Sequence, residues 1–160
     1  MRLLFWSGFW SFLADQASKF GILYMLNLPE IRHIAVLPPV LNFHYGENRG
    51  INFGLFSDAP DIMRWVLIAF AFAVVAGVLY WVRRSANEDW RLALSAGFLV
   101  GGALGNVVDR LIYGYVVDFI NTSCCGIDNP FVFNIADVFI FLGAAGIIFL
   151  DPGRDGKKPS

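Results

Sequence analysis

The chain has 160 residues, 57% of them hydrophobic and only 16% charged, with a formal net charge of −1. A soluble domain carries about 25% charged residues and a small one must cover itself with polar surface, so the composition points to an integral membrane protein. It excludes a disordered chain and a nucleic-acid-binding arm, and two adjacent cysteines, Cys124 and Cys125, cannot staple a secreted domain.

A bilayer core of ~30 Å takes roughly 20 apolar helical residues. Four stretches qualify, at residues 3–28, 63–82, 92–108 and 133–150. The first holds Asp15 and Lys19 at helical spacing on one face, with Ser18 beside them. These groups interrupt the apolar run, which argues against a cleaved signal peptide. Residues 40–45 alternate loosely and predict a short strand. Residues 48–56 are too apolar for a free loop and too short to span, which predicts an interfacial half-helix or a re-entrant piece. The second stretch carries no charge between Trp65 and Val82. In the third, Gly97, Gly101 and Gly105 form a ridge of small residues that lets another helix approach closely. Gly102, Asn106 and Arg110 form a neighbouring stripe, and Arg110 in lipid requires a carboxylate partner, Asp109 or another. Asp118 then stands alone among apolar residues, and Asn134 and Asp137 share a face at the start of the fourth stretch. The expected fold is an all-α membrane protein of four transmembrane helices, with a small extracytoplasmic β/loop segment and the interfacial half-helix. Residues 1–150 form one domain, and residues 151–160 read as a disordered cytoplasmic tail.

Positive charges in short loops stay cytoplasmic. Arg2, Arg83, Arg84, Arg91, Arg154, Lys157 and Lys158 fall on one side, which places both termini in the cytoplasm. Asp118, Asp137, Asn48 and Asn52 then share the outer end of the bundle, with Asp15 and Lys19 at middle to outer depth. Ionisable residues inside a membrane are costly and mark functional sites. Two carboxylates in one low-dielectric pocket share a proton, and such a pair can activate water and protonate a carbonyl oxygen. The same residues also suit a transporter or proton path, or a subunit whose charges only pair helices. The two histidines, His33 and His44, are not at ligand spacing, and the vicinal cysteines are no zinc motif, so no metal or cofactor is expected. A Cys–His nucleophile pair in the outer loops is the weaker alternative.

The polar segments occur in a specific order: Asp15-Gln16-Ala17-Ser18-Lys19, Asn48-Arg49-Gly50, Gly101-Gly102-Ala103-Leu104-Gly105-Asn106-Val107-Val108-Asp109-Arg110, Val116-Val117-Asp118-Phe119-Ile120 and Asn134-Ile135-Ala136-Asp137. In this order they resemble bacterial lipoprotein signal peptidase (signal peptidase II) over the whole chain except the tail. The resemblance implies an inner-membrane aspartic endopeptidase without cofactor or metal, its active site near the outer leaflet. Its substrate would be a prolipoprotein bearing a lipobox, cut just before the diacylglyceryl-modified cysteine. Membrane lipids would be its surroundings, nucleic acid no partner, and globomycin-like cyclic lipopeptides its inhibitors. Asp118 and Asp137 match the catalytic dyad of the family. Asp15, Lys19, Asn48, Gly102, Asn106, Asp109, Arg110 and Asn134 match positions that line or support the site. Two departures stand out: Ile51-Asn52, where the family commonly has Ala-Ala, and Val138, where it commonly has Ser.

Overall fold

The computed structural model describes residues 1–38, 40–50, 60–84, 89–123 and 129–150. Helix α1 (Arg2–Phe20) runs on through one π-helical turn (Gly21–Met25). Asn27 and Arg32, at φ +49° and +68°, then bracket the short helix α2 (Leu28–Ile31). Strands β1 (His33–Leu37) and β2 (Leu41–Asn48) follow, then the long helices α3 (Pro60–Arg84) and α4 (Trp90–Ile112). Strand β3 (Val116–Thr122) and helix α5 (Ile135–Leu150) complete the order.

All four apolar stretches are helical. Asp61–Arg84 and Trp90–Ile112 are long and apolar enough to cross a membrane, while α5 is apolar but shorter. The helix of the first stretch stops short of residue 28, because the left-handed Asn27 cannot continue it. The strand expected at 40–45 is present as the longer β2, and β1 and β3 make it a three-stranded antiparallel sheet ordered β1-β2-β3. Of the half-helix expected at 48–56, residues 51–56 lie outside the described residues, as do Cys124, Cys125 and the tail.

Helix α4 is the centre of the molecule. It packs against α1, α3 and α5, and 72% of its apolar stretch is buried, against 11% for α3. The glycine ridge explains how α1 comes so close. A Cβ at Gly101 would strike the carbonyl of Gly8 and the hydroxyl of Ser11. On a neighbouring face, a Cβ at Gly102 would lie 2.5 Å from the carbonyl oxygen of Ala136 and 2.9 Å from Ile140, so α5 seats its first turns there. The lipid-compatible surface is aromatic: Phe5, Trp6, Phe9 and Trp10 of α1 are all exposed and touch one another edge-on or stacked. Helix α4 ends at Tyr113 with Gly114 in the left-handed region at φ +86°, and their N–H groups bond the carbonyls of Asp109 and Arg110. The chain therefore turns sharply and enters β3 four residues after the helix.

Candidate active site

Asp118 reaches the site from the middle of β3 and Asp137 from the first turn of α5. Between them lies Asn134, buried completely. The bridge between Ile120 and Phe133 lays the chain before α5 along β3, and this sets Asn134 beside Asp118. The amide Nδ2 of Asn134 donates to Asp118 Oδ1 at 2.6 Å. Its Oδ1 accepts the backbone N–H of Asp137 at 3.0 Å, while its own N–H donates to Asp137 Oδ2 at 3.2 Å. This is a reciprocal helix cap, with Asn134 at the N-cap and Asp137 three residues on. The spacing of Asn134 and Asp137 is thus the spacing of a cap, and one residue holds both carboxylates.

The remaining carboxylate oxygens have their own donors. Asn48 Nδ2 donates to Asp118 Oδ2 at 3.0 Å. The β2–β3 register pairs Asn48 with Val116 and Gly46 with Asp118, so Asn48 stands diagonally across from Asp118 on the same face. Asn106 Nδ2 donates to Asp137 Oδ1 at 3.0 Å, and its Oδ1 accepts Lys19 Nζ at 3.2 Å and Asn134 Nδ2 at 3.4 Å.

Beneath these residues is a buried charge cluster. Lys19 Nζ lies 2.9 Å from Asp15 Oδ2 and 2.7 Å from Asp109 Oδ2, and all three side chains are at most 3% exposed. The second contacts of the two carboxylates matter most. Asp15 Oδ1 accepts the N–H of Ala136 at 2.9 Å, and Asp109 Oδ2 accepts the N–H of Val117 at 3.0 Å. Each is the residue immediately before Asp137 or Asp118. Lys19 therefore ties together two struts, one to the backbone beside each of the paired carboxylates. Gln16, which the sequence did not single out, braces the same pair: its Nε2 lies 3.1 Å from Asp15 Oδ2, 3.1 Å from Asp109 Oδ1 and 3.3 Å from the carbonyl of Gly105. Its place one turn before Lys19, inside the Asp15–Lys19 run, is the signal the sequence offers.

Arg110 departs from expectation. Among the described residues it makes no ion pair; Nη1 donates to the carbonyl of Asn106 at 3.3 Å, and Lys19 takes Asp109. Consecutive helical residues point to different faces, so Asp109 turns to α1 while Arg110 lies in the field of Asp137, Asp109 and Asp118 together. Gly102 belongs to the packing of α5. Val138 is exposed. Ile51 and Asn52 lie outside the described residues.

Burial raises the carboxyl of Asp118 to about 6, and the charge of Asp137 adds to the rise. The amides of Asn48 and Asn134 and the charge of Lys19 act the other way, because they favour the ionised form. Asp118 is accordingly suited to hold a proton next to a second carboxylate.

Comparison with known proteins fixes the family. Residues 9–151 match the family model for Signal peptidase (SPase) II. The chain belongs to the signal peptidase II family. It is 37% identical over 155 residues to a lipoprotein signal peptidase of Alteromonas mediterranea, spanning 97% of this chain and 82% of that one. With the lipoprotein signal peptidase of Shewanella pealeana it shares 44% identity over 92% of its length and 85% of the relative's. A bacterial membrane enzyme solved by the in meso method at 2.3 Å resolution has the same fold, with a TM-score of 0.79 at 26% identity, covering 100% of this chain and 94% of that one. A second such structure, at 1.9 Å resolution, gives 0.80 at 27% identity. The chain is therefore a membrane-embedded peptidase of the signal peptidase II family, whose members process prolipoproteins.

Proposed function

We propose that the chain is an aspartic endopeptidase that cuts diacylglyceryl-modified prolipoproteins just before the lipidated cysteine, with Asp118 and Asp137 as its catalytic dyad. The observation that carries this is the meeting of two carboxylates, one from β3 and one from α5, around the single amide of Asn134. The raised proton affinity of Asp118 supports a shared proton. A transporter or a purely structural subunit needs charges paired with opposite charges, and Asp15, Lys19 and Asp109 already meet that need. Asp118 and Asp137 are held instead by neutral amides.

In the mechanism Asp137, ionised, takes a proton from a water while Asp118, protonated, donates to the scissile carbonyl oxygen. The water oxygen bonds to the carbonyl carbon and gives a neutral gem-diol. Proton transfer to the nitrogen then breaks the C–N bond and frees the lipidated cysteine as the new N-terminus. Arg110, Lys19 and the asparagines orient these groups. The lipid chains of the substrate stay in the bilayer while its signal helix enters from the side. The four helices span the inner membrane with both termini cytoplasmic and the dyad near the outer leaflet. Globomycin-like cyclic lipopeptides occupy the same site as inhibitors.

The decisive experiment is cleavage of a lipidated precursor by Asp118→Asn, Asp137→Asn and the double variant, with chelator present and membrane levels matched. General acid–base participation is worth ~10²–10⁴ in rate, and groups acting as a unit are non-additive. The expected result is a loss of at least about a hundredfold in each single variant, a double variant no worse, and unchanged precursor binding. Near-normal cleavage by either variant removes that residue from the dyad.

A further inference from the structure

A second polar recess lies outside the network above, at the outer end of α3 and α4. It is a cavity of about 210 Å³ lined by Arg49, Asp61, Arg64, Tyr113 and Gly114. Arg64 sits one turn inside α3, and its Nη2 donates to the carbonyl of Leu111 at 3.0 Å, near the end of α4. Its Nε is buried and has no hydrogen-bond partner among the described residues. Guanidinium donors are seldom left unused, so Arg64, which lines the cavity, has donor capacity to offer a group bound there.

The charges around the recess indicate which acceptor. Asp61 and Arg64 are three residues apart on one helix, a spacing at which carboxylate and guanidinium ordinarily pair. Here neither is in an ion pair among the described residues, because Arg64 is turned toward α4. The remaining cation, Arg49, is paired with Glu47 at 2.8 Å. Among the described residues the recess therefore presents a guanidinium and a carboxylate that do not pair with each other, with no net charge to favour a simple anion. A ligand carrying both signs a few bonds apart matches it.

The surroundings are those of a bilayer interface. Ile62, Trp65 and Val66 on the same end of α3 are all more than half exposed, and α3 is the least buried of the two long helices. Tyr113, which lines the recess, clusters with Tyr115 and the exposed Tyr24, the Tyr24 and Tyr113 hydroxyls lying 3.4 Å apart. Amphipathic rings collect at headgroup level.

We infer that this recess binds the headgroup of a zwitterionic phospholipid, its phosphate on Arg64 and its primary ammonium on Asp61. A guanidinium offers the phosphate paired N–H donors, and an ammonium offers Asp61 N–H donors that a choline group lacks.

The test is native mass spectrometry of the full-length protein in detergent, titrated separately with phosphatidylethanolamine, phosphatidylcholine and phosphatidylglycerol of one acyl composition. Phosphatidylethanolamine is expected to bind about tenfold more tightly than the other two. Arg64→Gln should weaken it, and Asp61→Asn should abolish its advantage over phosphatidylcholine. Asp61 is exposed, so this second variant remains informative if Arg64→Gln folds poorly. Competition by free phosphoethanolamine reports whether the headgroup alone is recognised or the whole lipid is needed. Equal binding of the three lipids, or a preference unmoved by Asp61→Asn, overturns the proposal. Retention of phosphatidylglycerol alone would assign the recess to an anionic headgroup and overturn it equally.

Discussion

Asp118 is 3% exposed, and both of its oxygens accept an amide N–H. Its proton affinity is a balance, with burial and Asp137 raising it and the two amides and Lys19 lowering it. The sign of a change at Asn48 follows directly. The kcat/KM profile should lose activity as pH rises through about 6, where the proposed proton holder ionises. Asn48→Ala removes a donor that stabilises the ionised form. The alkaline limb should therefore move upward by about one unit, since a hydrogen bond is worth ~1 kcal/mol and a pKa unit 1.36 kcal/mol. A downward shift would mean that the limb belongs to another group. Lys19 makes a different kind of prediction. Lys19→Met leaves Asp15 and Asp109 buried without a cation, and removing one partner of a buried charge set costs ~3–5 kcal/mol. Thermal unfolding in detergent should show that loss, together with reduced cleavage. Adding Asp15→Asn should return part of the stability, because one uncompensated charge is then gone.

At the scale of elements, the site depends on how closely α1 and α5 approach α4. Gly101→Val places methyl groups against the backbone of Gly8 and should separate α1 from α4, costing roughly 1–3 kcal/mol and cleavage activity through displaced Lys19. Gly77→Val on α3 meets nothing within 4 Å and should leave thermal stability and cleavage near those of the parent. Equal tolerance of both changes would contradict close packing as the role of the ridge. These helices were legible in the sequence because hydropathy and the cost of an ionisable residue in lipid are local properties. Strand β3 was not. Its first four residues are buried on both faces, so no alternation marks it, and its partner β2 is some 70 residues earlier. Gln16 escaped notice because an amide carries no charge to flag its burial. The partner of Arg110 was misjudged because side chains adjacent in a helix diverge by about 100°. Asp109 consequently answers to α1, an element that sequence distance does not connect to it.

For the whole molecule, the proposed orientation puts the sheet and both carboxylates of the proposed dyad on the outer side. A reporter inserted at the β1–β2 turn near Pro38 should read external, and one fused after Lys158 should read cytoplasmic. An external C-terminus would put the dyad at the wrong leaflet. The bond between Asp15 and the N–H of Ala136 joins residues 121 apart in sequence, and Lys19 meets Asn106 across 87. The first helix thus carries groups whose partners lie far along the chain, in α4 and at the start of α5. During synthesis, Asp15 has no strut to α5, Asn134 has not yet joined the two acids, and Asp137 does not exist. With Asp118 and Asp137 as the proposed dyad, cleavage therefore waits for the seating of α5. Until then the first helix holds only the part of the network that α4 supplies.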